Sequence, residues 1–382
     1  MFKKVFISFV LCISVLATSV FSQSANAVAE ELVTAPSAVL MEASTGKIIY
    51  EKNSHEKRPC ASVTKVMTLL LVFEAIDSGK LSLDDNITAS EHASSMGGSD
   101  IWLETGEVMS ADDMIKATVV ASANDAAVAL AEHICGSEDA FIEEMNKKAQ
   151  SLGMKDTVFK NCNGLDEEGH LTSANDVSIM SRELIKHEKI FDYTSIWLDN
   201  LRGGKTQIVN TNKLLKTYNG ITGLKTGTTN EAGCCMSATA TRDKVSLIAV
   251  VLGCKTGKER FSDAAKLLDY GFANVSVQEL KLPSDMPKEI AVENGMEKSV
   301  LINCDVSSNA LLEKGKGGEI KSTINLPESV TAPIEKGQKL GELVFSLNDK
   351  EIKRYDITAE AKVEEVSFSG VFAINFNSLF SL

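Results

Sequence analysis

One stretch of the sequence, Ala61-Ser62-Val63-Thr64-Lys65-Val66-Met67-Thr68, carries the first of the motifs on which the fold prediction depends. It opens residues 62–77, whose apolar side chains recur at the spacing of a helix that ends at Gly79. Ser62 and Lys65 stand three positions apart, so their side chains share one face of that helix. A serine hydroxyl becomes a strong nucleophile when a base beside it takes its proton, and lysine is such a base only when its amine is neutral. The same pair of residues could occur on an ordinary surface helix, so the catalytic interpretation depends on the other motifs.

A second motif, Ser122-Ala123-Asn124, lies in the short connection between two predicted helices, of which the second begins at about Asp125. We expect Ser122 to relay a proton between Lys65 and a leaving amine. We expect Asn124 to hold the substrate amide and to orient Lys65. Capping of the second helix is the alternative role for both residues, since Ser and Asn are good capping residues.

A third motif, Lys225-Thr226-Gly227, is followed by Thr228 and should lie on the edge strand of a sheet. A cation and hydroxyl groups there suit a substrate that ends in a free carboxylate, which is typical of a carboxypeptidase. The charge of Lys225 would act with burial and the helix N-terminus to lower the pKa of Lys65. The backbone N–H groups of Ser62 and Thr228 are candidates for an oxyanion hole.

The order and setting of the motifs carry the prediction, because each motif alone is common. The second Lys-Thr-Gly, at residues 255–257, is interpreted as a loop after a strand that ends at Leu252. Around the motifs, strands and helices mix without a regular βαβ alternation. This favours an α+β domain, an antiparallel sheet with a helical cluster, over a doubly wound sheet. From Leu280 to Lys362 short apolar stretches alternate with turn residues, which predicts a small all-β domain.

These patterns divide the chain into four segments. Residues 1–27 are a predicted signal peptide, because two lysines precede an apolar run and small residues follow it in an A-x-A arrangement. The mature protein is therefore expected outside the cytoplasm; a buried or membrane-spanning helix is the alternative for the run. Residues 28–274 form the predicted catalytic domain, residues 275–363 the all-β domain and residues 364–382 a tail.

Composition excludes several classes of function. The chain has 382 residues and a formal net charge of −13 at pH 7, which argues against a nucleic-acid partner. Once Cys12 leaves with the signal peptide, an odd number of cysteines without regular spacing remains, which argues against a disulfide framework. The five histidines are scattered, with no pair at ligand spacing. We therefore expect no metal and no cofactor.

The motifs resemble those of the low-molecular-mass penicillin-binding proteins, the serine-type D-Ala-D-Ala carboxypeptidases. Further stretches extend the resemblance over nearly the whole mature chain. They are Leu40-Met41-Glu42-Ala43-Ser44-Thr45-Gly46-Lys47 in the opening hairpin, Asn163-Gly164-Leu165-Asp166, Arg260-Phe261-Ser262-Asp263-Ala264 and, in the C-terminal β domain, Pro333-Ile334-Glu335-Lys336-Gly337-Gln338-Lys339-Leu340-Gly341.

The resemblance implies the penicillin-binding and β-lactamase-like transpeptidase fold and an acyl-enzyme mechanism. Ser62 would attack the carbonyl between two D-alanines of a peptidoglycan peptide, the last D-alanine would leave, and water would hydrolyse the ester. β-Lactam antibiotics would acylate the same serine. The family also implies an amphipathic C-terminal anchor on the outer membrane surface, which residues 366–382 fit in place and pattern although they lack basic residues. A disordered or packed tail is the alternative.

The chain departs from the family pattern at three positions. Thr228 stands where many members have histidine, and this exchange would tune substrate preference or deacylation. Cys60, two residues before Ser62, replaces a residue that is usually small or of another type, and packing is the preferred explanation over a redox role. Lys213 replaces a typical glycine.

Two rival functions share some of these features. A class A β-lactamase has the three motifs, and residues 168–172, Glu-x-x-Leu-Thr, approach its Glu-x-x-Leu-Asn loop. However, Thr172 stands in place of asparagine, and a β-lactamase has no use for a β domain and an apolar tail. A non-catalytic peptidoglycan-binding protein is the other rival, and nothing supports it because every motif residue is intact.

Overall fold

The computed structural model of the protein describes residues 32–315 and 319–368. These residues form two compact units, divided in sequence between Asn274 and Val275. The predicted signal peptide, residues 1–27, lies outside the described residues, and so does the predicted tail apart from residues 364–368. Within the described ranges, no helix combines the length and the apolar character needed to cross a bilayer.

The strands of the first unit form one five-stranded antiparallel sheet and two two-stranded sheets. In chain order they are β1 (Ser37–Glu42), β2 (Ile48–Lys52), β3 (Asn86–Thr88), β4 (Val108–Ser110), β5 (Leu198–Leu201), β6 (Thr206–Val209), β7 (Ile221–Thr229), β8 (Gly233–Arg242) and β9 (Val245–Cys254). The order across the large sheet is β2-β1-β9-β8-β7, so β7 lies at an edge as predicted. Lys225 on β7 stands opposite Ser237 on β8.

Helices of the first unit surround one long buried helix, α1. In chain order they are α1 (Lys65–Asp77), α2 (Glu91–Ser94), α3 (Ala111–Lys116), α4 (Asn124–Cys135), α5 (Glu138–Ser151), α6 (Ala174–Leu184), α7 (Ile190–Thr194), α8 (Leu214–Thr217) and α9 (Gly257–Asn274). Single-turn segments cover Ala61–Thr64 and Arg202–Gly204 as 3₁₀ turns and Ala117–Ala121 as a π turn. α1 is apolar on nearly every side, which is typical of a helix surrounded by other elements, and it packs against α4 and α6.

The second unit is built from strands. They are β10 (Val275–Glu279), β11 (Glu289–Glu293), β12 (Ser299–Asn303), β13 (Asn309–Glu313), β14 (Ile320–Asn325), β15 (Ser329–Thr331), β16 (Lys339–Leu347) and β17 (Lys350–Ala359). Six of them form a sheet in the order β14-β16-β17-β12-β11-β15, and β10 pairs with β13. Its core includes Ile334, Leu343 and Ile357, each fully buried. The predicted α+β class with an additional all-β domain is therefore confirmed.

Two local predictions need correction. The helix expected from Ser62 begins at Lys65, because Ala61 adopts a left-handed φ of +51° and the following turn closes with 3₁₀ spacing. The second Lys-Thr-Gly is only partly a loop. β9 continues to Cys254, and Gly257 is already the first residue of α9.

Candidate active site

Ser62 lies on the 3₁₀ turn that leads into α1, and two glycines allow the chain to pass close to it. A Cβ atom on Gly227 of β7 would lie 2.7 Å from the backbone nitrogen of Ser62. A Cβ atom on Gly164 would fall far inside van der Waals contact with the carbonyl oxygen of Ala61. The sequence therefore needs glycine at both positions to place Ser62 between β7 and the 161–165 loop.

The side chain of Lys65 is completely buried, and its Nζ atom has three hydrogen-bond acceptors. They are Ser62 Oγ at 3.1 Å, Asn124 Oδ1 at 2.5 Å and the carbonyl oxygen of Asn163 at 2.7 Å. Burial lowers the pKa of Lys65 to about 7, because the charged ammonium loses its hydration. The sequence predicts a contribution of Lys225 to this lowering of the pKa; in the structure burial is the dominant cause.

The acceptors around Lys65 determine which way its lone pair points. The Nδ2 atom of Asn124 donates to the carbonyl oxygen of Gly97 at 2.6 Å, so Oδ1 is the atom that faces Lys65. Asn124 Oδ1 and the Asn163 carbonyl can only accept, and a neutral amine has two N–H groups to give them. The lone pair is then left for the hydroxyl of Ser62. This arrangement can move a proton from Ser62 Oγ to Lys65 Nζ.

Ser122 reaches the site through a left-handed turn. It follows the π turn Ala117–Ala121 with φ +62° and precedes α4, and such a φ is uncommon for a residue with a side chain. Its Oγ atom accepts a hydrogen bond from Lys225 Nζ at 2.8 Å. The sequence predicted that Ser122 exchanges a proton with Lys65; in the structure the hydrogen bond of Ser122 is to Lys225. Asn124 is the first residue of α4, and its contact with Lys65 agrees with the orienting role expected for it.

Lys225 and Thr226 are both buried on β7 and have different partners. Besides Ser122, Lys225 Nζ donates to the carbonyl oxygen of Thr226 at 3.1 Å. Burial lowers the pKa of Lys225 well below its usual range, and the charges of Lys65 and Arg260 act in the same direction. The Thr226 hydroxyl donates to Thr211 Oγ1 at 2.7 Å. The edge strand therefore presents a desolvated amine toward Ser122.

Arg260 supports the end of this strand. It is 8% exposed and its Nη1 atom donates to the carbonyl oxygen of Gly227 at 2.9 Å and to Thr228 Oγ1 at 3.0 Å. Thr228 itself is exposed. A buried guanidinium thus holds the backbone and the hydroxyl of the two residues that follow Thr226.

Comparison with known proteins identifies this arrangement. The family model described as D-alanyl-D-alanine carboxypeptidase matches residues 24–256. The chain belongs to this carboxypeptidase family. A second model, the C-terminal domain of penicillin-binding protein 5, matches residues 280–365.

Relatives of the carboxypeptidase family resemble the chain over most of its length. D-alanyl-D-alanine carboxypeptidase DacF of Bacillus subtilis is 43% identical over 87% of this chain and 87% of its own. The crystal structure of penicillin binding protein 5 from Haemophilus influenzae is 33% identical, with a TM-score of 0.77 over 87% of this chain and 98% of that one. Penicillin-binding protein D2 from Listeria monocytogenes in its ampicillin-bound form is 34% identical, with a TM-score of 0.58 over 63% of this chain and 98% of that one.

Three contacts in this member of the carboxypeptidase family were missed from the sequence. The carbonyl of Asn163 binds Lys65, that of Gly97 fixes the amide of Asn124, and the hydroxyl of Thr211 binds Thr226. The loop around Asn163 belongs to the family pattern, but its contact with Lys65 is made by a backbone carbonyl. Because every residue has such a carbonyl, no side-chain pattern could have indicated it.

Cys60, the unusual residue beside the nucleophile segment, is buried and packs against Thr64, with 3.4 Å between its Sγ atom and the threonine hydroxyl. Burial raises the pKa of its thiol to about 11, so it stays protonated at neutral pH. A buried, protonated thiol is a poor nucleophile. The preferred explanation of Cys60 as a packing residue agrees with this environment.

Proposed function

We propose that the protein is a serine-type D-alanyl-D-alanine carboxypeptidase that removes the terminal D-alanine from peptidoglycan pentapeptides through an acyl-enzyme on Ser62. The observation that carries the proposal is the Lys65 amine, fully buried and 3.1 Å from the Ser62 hydroxyl. With a pKa near 7, a substantial fraction of this amine is neutral at physiological pH. The names and activities of the relatives point to the same reaction.

In the acylation step, Lys65 Nζ takes the proton of Ser62 as Ser62 Oγ bonds to the carbonyl carbon between the two D-alanines. The carbonyl oxygen becomes an oxyanion, which the backbone N–H groups of Ser62 and Thr228 stabilise. The close approach of Gly227 to the Ser62 nitrogen supports this role, since it brings β7 next to the turn that carries Ser62. Loss of one such donor costs about 3–4 kcal/mol in other acyl transferases.

The tetrahedral intermediate then collapses by breaking the C–N bond to the last D-alanine. Ser122 donates its hydroxyl proton to the leaving nitrogen, and the proton held by Lys65 replaces it. Because Ser122 Oγ already accepts from Lys225, its own proton is free to point into the site. A water molecule next gives a proton to Lys65 and adds to the ester carbonyl. Ser62 Oγ leaves and recovers its proton from Lys65.

Substrate recognition rests on residues 225–228. The α-carboxylate of the last D-alanine binds near Lys225, Thr226 and Thr228, and its negative charge favours protonation of Lys225. Gly227 keeps this strand close enough to Ser62 for the carboxylate and the scissile carbonyl to be held together. Asn124 orients Lys65 and forms a hydrogen bond with the substrate amide.

We also propose that the protein acts on the outer face of the cytoplasmic membrane. The support is the signal-like character of residues 1–27 and the uncharged, alternately apolar and polar character of residues 366–382. Peptidoglycan peptides, β-lactam antibiotics and the membrane surface are therefore its proposed partners.

Two assays on one preparation test the activity. Labelled penicillin should form a stable adduct that peptide mapping assigns to Ser62, and a pentapeptide ending in D-Ala-D-Ala should release free D-alanine. Ser62→Ala should abolish both.

The structure gives no support to the class A β-lactamase alternative. Glu168, the residue that such an enzyme would require, is exposed, and the hydrogen bonds of Lys65 go to Ser62, Asn124 and Asn163.

The outcomes of these assays distinguish the carboxypeptidase from three other functions. Rapid turnover of penicillin without release of D-alanine would identify a β-lactamase. Neither an adduct nor D-alanine release would identify a non-catalytic peptidoglycan-binding protein. Transfer of the acyl group to an added amine in place of water would identify a transpeptidase.

A further inference from the structure

Trp102 is an unusually exposed aromatic residue on the loop between α2 and β4. Its relative exposure is 80%, while its neighbours Ile101 and Leu103 are 2% and 4% exposed. The two neighbours therefore anchor the loop in the core and turn the indole between them outward. Most apolar residues of this size are largely buried, so an indole held in water invites a functional explanation.

The backbone around Trp102 is held in place from two sides. The buried carboxylate of Asp125 accepts from the N–H groups of Ile101 at 3.1 Å and Leu103 at 3.0 Å. Arg202 donates to the carbonyl oxygen of Ile101 at 2.9 Å and forms an ion pair with Glu107 farther along the loop. The indole is thus presented on a rigid support rather than on a flexible loop.

Trp102 also adopts a left-handed backbone conformation, with φ +55°. This conformation is a genuine outlier for a bulky residue, and such outliers cluster at ligand-binding and active sites. The hydrogen bonds that Asp125 accepts and the one that Arg202 donates hold the adjacent peptide groups in it. A polar residue or a glycine would suit this turn and the water around it better than tryptophan does.

The same loop forms part of the wall of the active site. The carbonyl oxygens of Gly97 and Ser99 accept from the side chain and the backbone N–H of Asn124, each at 2.6 Å. Trp102 follows Ser99 by three residues, so the Cα atoms of these two residues are at most about 11 Å apart. Asp125, which holds the loop at Trp102, directly follows Asn124. Trp102 therefore lies on the loop that borders the site, close to the N-terminus of α4.

We propose that Trp102 binds a sugar ring of the glycan strand to which the substrate peptide is attached. This inference rests on the proposed function. An extended peptide spans about 3.3–3.6 Å per residue, so the sugar that carries the peptide lies roughly 14 Å from the carbonyl attacked by Ser62. The apolar C–H face of a pyranose packs on an indole, and its hydroxyl groups donate to carboxylates. Glu104, two residues after Trp102, is exposed and supplies such a carboxylate.

Kinetics on two matched substrates tests the inference. One substrate is the free pentapeptide, and the other is the same peptide attached to its disaccharide. Trp102→Ala should lower kcat/KM for the disaccharide-linked peptide by about tenfold, which corresponds to ~1.4 kcal/mol, and should change that for the free peptide less than twofold. Trp102→Tyr should retain most of the preference, since it keeps an aromatic face. Leu282→Ala, an exposed apolar truncation in the second unit, is the matched control.

The rate of penicillin acylation separates binding from damage to the loop, because penicillin carries no sugar. Trp102→Ala should leave that rate unchanged. Equal losses on both substrates, a loss of penicillin acylation, or no change on either substrate would each overturn the inference.

If the unaltered enzyme releases no D-alanine from either substrate, the proposed function fails and a binding measurement decides the inference. The chain contains two tryptophans, so Trp197→Phe leaves Trp102 as the single indole reporter. A saturable change of its fluorescence on addition of peptide-free glycan strands supports the sugar site. Fluorescence that does not respond to the glycan overturns it.

Discussion

The carbonyl oxygen of Asn163 accepts a hydrogen bond from the Nζ atom of Lys65 at 2.7 Å. The next residue of that loop, Gly164, packs against the carbonyl of Ala61, the residue before Ser62. One loop therefore positions both the proposed base and the proposed nucleophile. This dual contact explains how a side chain as flexible as lysine is held in one orientation, and it leads to predictions that separate the chemistry from the stability of the fold.

Replacement of Lys65 by methionine should lower the rate of acylation by labelled penicillin between about 10²- and 10⁴-fold, the usual range for loss of a general base. The free energy of unfolding should change by no more than about 2 kcal/mol. Removal of a buried amine is favourable, whereas Asn124 and Asn163 lose a donor. Lys65→Arg should be equally inactive, because a guanidinium does not become neutral. An active arginine variant would contradict the role of Lys65 as a base.

The acylation rate should depend on pH through the same amine. With a pKa of about 7, the neutral form of Lys65 becomes tenfold rarer for each pH unit below 7, so the rate should fall with that slope and level off above pH 7. Stopped-flow measurement of penicillin acylation from pH 5 to 9 checks this. A flat profile through neutral pH would refute the assignment.

The free energy of unfolding should also depend on pH through the pKa of Lys65. The pKa of Lys65 is lower in the folded protein than its usual value of 10.5, so between about pH 7 and 10.5 the unfolded chain binds more protons. The contribution of Lys65 to the free energy of unfolding therefore rises with pH across this window. Denaturant titrations of the unaltered protein and Lys65→Met at pH 7 and pH 9 should show a larger increase for the unaltered protein.

Two glycines with similar backbone conformation provide a matched test of the loop contact. Gly164 and Gly153 have φ angles of +88° and +75°, but a Cβ atom on Gly153 would have nothing within 4 Å. Gly153→Ala should therefore cost only the left-handed backbone strain, about 1–2 kcal/mol. Gly164→Ala should cost more and should also slow penicillin acylation, because it displaces Ala61 and Ser62. Equal effects of both changes on unfolding and acylation would exclude the proposed contact.

A chain that ends at Asn274 should fold and react with penicillin at close to the full rate. The proposed catalytic residues and their hydrogen-bond partners all precede this position, and each unit has an apolar cluster of its own. Thermal unfolding and labelled penicillin binding of the shortened chain provide the check. Loss of acylation in a folded fragment would show that the second unit contributes to the reaction.

Local patterns were sufficient to predict much of the fold. The hairpin of β1 and β2, the helix that follows Ser62 and the turn at Ser122 depend on neighbours within a few residues, and each lies where the sequence predicted it except for the first residue of the helix. The start of α1 was misplaced by three residues because Ala61 adopts a left-handed φ, at a point where its carbonyl packs against Gly164, about a hundred positions away in sequence. Alanine gives no local signal for such a conformation.

The candidate site was predictable as a set of residues but not as a network. The sequence predicted that Ser62, Lys65, Ser122 and Lys225 belong to one site, and the structure joins them as two hydrogen-bonded pairs, Ser62 with Lys65 and Ser122 with Lys225. Which hydroxyl meets which amine depends on side-chain rotamers and on distances of a few tenths of an ångström. For this reason the partner of Ser122 differs from the expected one.

The position of β7 at the edge of the sheet has a consequence for the range of substrates. An edge strand has a row of N–H and C=O groups without a neighbouring strand, and an extended peptide can bind there through its own main chain. A peptide bound in this way is recognised mainly through its main-chain hydrogen bonds, and the identity of its side chains matters little. The enzyme should therefore tolerate different residues in the middle of the stem peptide while remaining strict about the two D-alanines at its end.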